Sequence, residues 1–155
     1  MHENFPLTNE YPVLEWNGGN VHKIRKSIFH LMSGEIFAIQ GKTFFVMGGA
    51  SSHDKEWRIP GVSWWSEEIP SKEVMDKGLD NLKKYGNKVD YIITHCAPSS
   101  IQQKIKNWYK TDILTEYLNY IYHNVEFDEW FCGHYHTNLK IDKVNVLYND
   151  IIKIL

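Results

Sequence analysis

Asp90-Tyr91-Ile92-Ile93-Thr94-His95 and Glu129-Trp130-Phe131-Cys132-Gly133-His134 decide how this chain folds. Each is an apolar run too short for a helix, rich in β-branched or aromatic residues, and each ends in a histidine. Such runs read as short buried strands. Helical signals surround them. Ser71 is a good N-cap, and Glu73 and Val74 open a helix to about Lys84, with Leu79 and Leu82 toward the core. A second helix spans about Asp112 to Tyr122, with Leu114, Tyr117, Leu118 and Ile121 on one face. Upstream, residues 27–32, 35–40 and 43–47 read as a meander of three antiparallel strands, with turns at Ser33-Gly34 and Gly41-Lys42. Downstream, residues 139–141, 144–148 and 151–155 read as further β segments. Residues 1–25 read as irregular, punctuated by Pro6, Pro12 and Gly18-Gly19. Strand, helix, strand with a separate meander argues an α/β fold.

With 155 residues the chain reads as a single domain over 1–155. Its 43% hydrophobic residues suffice for a core and exclude a disordered chain. A net charge of -2 gives no basic excess for nucleic acid. The longest apolar runs fall far short of the ~20 residues of a membrane span. The opening MHENFPLTNE has neither the basic head nor the apolar run of a signal peptide. Two cysteines, Cys96 and Cys132, make no disulfide framework, so the expected compartment is the reducing cytoplasm.

The histidines carry the chemistry. In α/β sheets ligands bind beyond the carboxyl ends of the strands, where His95 and His134 stand. Gly133 gives the chain room to turn. His134 and His136 are two apart, and in extended backbone such residues point the same way. Two imidazoles on one face, with a third from a neighbouring strand, form a transition-metal site. A lone histidine more often satisfies a core or surface position, and His22, His30 and His123 are read so. The long polar loop from Ala50 to about Pro70 is of a length that is often functional.

Gly133-His134-Tyr135-His136 resembles the closing G-H-x-H motif of the calcineurin-like metallophosphoesterases. Thr94-His95 followed by Ala97-Pro98 is similar to the motif that precedes it. Met1-His2-Glu3 resembles the family's G-N-H-E/D motif, entered in its middle. Gly48-Gly49-Ala50-Ser51, Asp54-Lys55, Arg58 and Gly61-x-Ser63-Trp64-Trp65 are similar to a bacterial and phage branch of the superfamily. The resemblance implies a partial α/β/β/α sandwich of mixed sheets flanked by helices. It also implies hydrolysis of phosphate mono- or diesters at a site of two divalent ions, Mn, Fe or Zn. His95 and His134 would ligate one ion and His136 the other. His2 would contact the phosphoryl group or protonate the leaving oxygen.

The family's D-x-H and G-D-x-x-D motifs have no counterpart here, and Met1 stands where the third motif has Asn. The expectation is therefore the C-terminal part of a metallophosphoesterase domain. The alternative is a non-catalytic remnant or binding module that holds at most one metal. Lys55 and Arg58 could bind phosphate or be surface charge. Trp64-Trp65 could stack on a substrate ring or pack the loop, and His53 could line the pocket or be solvated. Cys96 and Cys132 could be soft ligands, and the resemblance makes both buried thiols beside the site. The expected partner is a phosphate ester. Apolar surface from Tyr91-Ile92-Ile93 and Trp130-Phe131 would further call for a homo-oligomer or a partner supplying the absent half.

Overall fold

The structure is a computed structural model that describes residues 4–51 and 55–154. Its architecture is α/β, with two sheets flanked by helices. The first sheet joins β1 (Val13–Trp16), β2 (Gly19–Arg25) and β3 (Ile28–Leu31), all antiparallel. The second holds β4 (Ile36–Ile39), β5 (Lys42–Met47), β6 (Tyr91–Thr94), β7 (Glu129–Cys132), β8 (Leu139–Ile141) and β9 (Val144–Val146). Its spatial order is β4-β5-β6-β7-β9-β8. The four central strands run parallel, and β4 and β8 are antiparallel at the edges.

Residues 4–25 are more ordered than expected. A short helix, α1 (Phe5–Asn9), precedes the β1–β2 hairpin. The hairpin turns at Asn17-Gly18, whose φ angles of 50° and 91° are those of a type I′ turn. Gly19 is demanded by space rather than φ. A Cβ there would lie 2.7 Å from the Phe37 ring, where the two sheets touch. The expected three-strand meander is split. β4 and β5 pair across a second type I′ turn at Gln40-Gly41, but β3 pairs with β2 in the other sheet. The reason is burial. Phe29 and Leu31 of β3 join Leu14, Trp16 and Val21 over Phe37, Phe44 and Val46, closing a core between the sheets. A flat meander would leave that face in water.

The opposite face of the large sheet carries Phe45, Met47, Ile92, Trp130, Val144 and Val146. Three helices cover it: α2 (Lys72–Lys84), α3 (Ser99–Ile105) and α4 (Ile113–Asn124). α2 starts where expected, with Ser71 accepting from the Val74 N–H, and it buries Met75, Gly78 and Leu82. α4 opens with a capping box of Asp112 and Thr115 and buries Leu114, Leu118 and Ile121 at helical spacing. α3, which follows Pro98, was not expected. It is short, and its buried side includes the polar Ser99 and Gln102, so no apolar periodicity announces it.

Asp90 anchors β5 to β6. Its carboxylate accepts from Lys42 Nζ (2.6 Å), the Thr43 N–H (2.8 Å) and Thr43 Oγ1 (2.7 Å). Those bonds, the Lys42 ammonium first, hold its pKa down at about 2.

Two expectations need correction. Residues 151–154 form no strand, although Ile154 packs on the inter-sheet core and its carbonyl accepts from Tyr91 Oη at 3.1 Å. Nor do the central strands offer an apolar surface. Ile92 and Trp130 are fully buried and Phe131 is nearly so, because the helices and the small sheet cover both faces. Tyr91 and Ile93 of the same segments are half-buried. No helix among the described residues is long and apolar enough to cross a membrane.

Candidate metal centre

β6 and β7 pair in parallel with Ile92 beside Trp130 and Ile93 beside Phe131, so they end at one level. Just past their ends the Gly133 N–H donates to the carbonyl oxygen of His95 at 3.0 Å. A buried relay shapes the loop after β6. Trp130 Nε1 donates to Thr94 Oγ1 (2.8 Å), which donates to the Cys96 carbonyl (2.6 Å). The half-buried rings of His95 and His134 then meet edge to face, with centroids 5.1 Å apart. Two imidazoles on one tetrahedral ion, with bonds of about 2.0–2.1 Å, have ring centres about 5 Å apart. This pair fits that spacing.

The loop after β7 is not extended. His134 has φ 71° and His136 φ 49°, both left-handed. The Tyr135 N–H donates to the Gly133 carbonyl at 2.9 Å, so His134 is the central residue of a γ-turn with positive φ, a strained form. The tight turn falls on the histidines and not on Gly133, where a Cβ would meet only ordinary contacts beyond 3.6 Å. The alternation argument for a shared histidine face therefore fails. His136 is exposed, and its ring stacks on Tyr148 at 5.2 Å. Among the described residues, no group of three or more His, Cys, Asp or Glu is arranged to hold a metal ion. The structure thus joins His95 and His134 and sets the His136 ring against Tyr148. His2 and His53 lie outside the described residues.

A cleft of about 320 Å³ opens beside His134. Ser51, Cys96, Gln102, Lys110 and Asp112 line it with His134. That volume is at the small end for sites that take organic ligands. Asp112 Oδ1 accepts from the Thr115 N–H at 2.8 Å, so the carboxylate caps α4. The two thiols are buried, as expected. Burial raises the Cys96 thiol and pushes Cys132 up to about 12, away from the thiolate form.

Arg58 Nη1 donates to the Ser63 carbonyl at 3.1 Å and so ties its own loop together. Trp64 and Trp65 are half-buried, and a bridge joins Trp64 to Pro60. His22 and His30 face each other across β2 and β3, Nδ1 to Nδ1 at 3.1 Å, a paired arrangement that no motif announced.

Sequence reasoning also missed Tyr135. Its hydroxyl accepts from the Ala97 N–H (3.0 Å) and donates to Gln102 Oε1 (2.9 Å), while Gln102 Nε2 donates to the Lys110 carbonyl (2.9 Å). The available signal was a tyrosine between two histidines, since a buried phenol needs partners. Compared with protein-family models, with curated proteins and with solved structures, the chain matches none.

Proposed function

We propose that this chain carries the histidine side of a metal-dependent phosphoesterase site, acting on phosphate mono- or diesters. One observation supports it above the others: His95 and His134 leave neighbouring parallel strands at one level and bring their rings to 5.1 Å. The strained backbone at His134 adds to this, because such strain persists where the surroundings enforce it and clusters at functional sites. A divalent ion bound there supplies Lewis-acid polarisation of a phosphoryl oxygen and a bound water with its pKa lowered to about 7. His95 and His134 hold that ion through neutral imidazole nitrogens, which suit Mn, Fe or Zn. The adjoining cleft, which both Lys110 and Asp112 line, admits the ester. Under the same reading Arg58 would be a second phosphate contact, His2 the proton donor to the leaving oxygen, and His136, whose ring lies against Tyr148, a ligand of a second ion held only loosely.

A second reading rests on the ligand set. Without the D-x-H and G-D-x-x-D groups, and with no cluster of three or more ligands among the described residues, the chain would bind one ion and turn nothing over. Hydrolysis of an aryl phosphate with added Mn²⁺, measured beside Mn²⁺ binding, tests both. Metal-dependent turnover that disappears in His134→Ala supports the esterase. Mn²⁺ binding that needs His134 but gives no turnover supports the binding module. An unaltered chain that binds no Mn²⁺ overturns both.

A further inference from the structure

The loop that presents His134 is unusual in its backbone. Two left-handed non-glycine residues, His134 and His136, flank Tyr135. Such conformations are costly and survive only when their surroundings over-determine them. The structure contains the restraint. Tyr135 is buried, and its ring packs edge-on to both Tyr109 (5.3 Å) and His134 (5.1 Å). Its hydroxyl makes two bonds in opposite senses, from the Ala97 N–H and to Gln102 Oε1. Ala97 lies two residues after His95, and Gln102 is buried on α3 and lines the cleft. One phenol thus ties the loop after β7 to the loop after β6 and to the cleft wall at Lys110, through Gln102.

We propose that Tyr135 is the positioning residue of the His95–His134 pair: through the Ala97–Tyr135–Gln102 strut it holds the strained turn that sets one imidazole against the other. The proposal rests on the reading of His95 and His134 as metal ligands. Tyr135 itself touches no ion. It acts as the partners behind metal ligands act, by fixing the ring orientation before the ion arrives. The neighbouring bond from the Gly133 N–H to the His95 carbonyl joins the backbones on the near side of the turn, and the Tyr135 strut holds its far side.

Tyr135→Phe is the decisive variant, because it keeps the ring packing and removes only the hydroxyl. Gln102→Met removes the acceptor at similar volume. In the metal-free full chain, NMR cross-peaks between the His95 and His134 ring protons should be present and should weaken in Tyr135→Phe. The apparent Kd for Mn²⁺ should rise about 10- to 100-fold in each variant, and excess Mn²⁺ should restore occupancy. If the two groups act as one strut, the double variant should bind no more weakly than the worse single one. Core methyl shifts and cooperative unfolding should persist, which separates positioning from a general loss of structure. A Tyr135→Phe chain with the parental ring contact and the parental Kd overturns the proposal. If the unaltered chain binds no Mn²⁺, the metal reading fails, and the ring contact alone still decides whether Tyr135 orients the pair. Should Tyr135→Phe fail to fold, Gln102→Met carries the same two measurements.

Discussion

The Gly133 N–H donates to the carbonyl oxygen of His95 at 3.0 Å, so the ends of two parallel strands are joined at the point where each releases its histidine. The bond continues the β6–β7 ladder beyond the last paired residues. It fixes the two backbones side by side where the imidazoles depart. The side chains then need only a rotamer and a turn to converge.

Metal content follows from this convergence. Elemental analysis of protein purified without chelator should find at most one tightly held transition metal per chain, lost in His134→Ala. His136→Ala should retain it, because the His136 ring stacks on Tyr148. Two tight metals per chain would show that further ligands exist.

Backbone strain at His134 makes an unusual stability order. His134→Ala and His134→Gly both delete the ring, but only glycine relaxes at φ 71°. The glycine variant should therefore be the more stable of the two by about 1 kcal/mol, read from chemical unfolding. In an ordinary helical or extended position alanine would be the more stable.

Acid should act through Asp90. Its folded pKa lies at about 2, below the ordinary 3.8, so its contribution is complete above the ordinary value and is lost as pH falls through the folded one. Asp90→Asn should cost about 1–2 kcal/mol at neutral pH, a figure that allows for partial exposure of the group. The gap from the parent should narrow as pH drops below 3.8 and close near 2. A gap independent of pH would remove the carboxylate from the account.

Gly19 tests the packing of one sheet on the other. Gly19→Ala would set a methyl 2.7 Å from the ring of Phe37, which is fully buried, so one of the two must shift. Thermal or chemical unfolding should show a loss of about 1–3 kcal/mol, the range for overpacked cores.

Much of this protein was decided by its sequence alone. Ser71 and the spacing of Leu114, Leu118 and Ile121 are local signals, and α2 and α4 stand where they predicted. Tyr91–Thr94 and Glu129–Cys132 are strands because a short β-branched or aromatic run has no other way to bury itself. Asn17-Gly18 was equally legible as a hairpin turn, and the irregular reading of residues 1–25 passed over it. Other features were decided by tertiary structure. Which sheet takes β3 depends on the apolar face that Phe37, Phe44 and Val46 present, a surface assembled from distant residues. The meeting of His95 and His134 was anticipated, but the route to it was not. Alternation presumes extended backbone, whereas the loop after β7 is bent into left-handed φ at both histidines. Local preference opposes that conformation, so no local reading can foresee it. It exists because bonds from His95, Ala97 and Gln102, residues remote in sequence, hold Gly133 and Tyr135 on either side of His134.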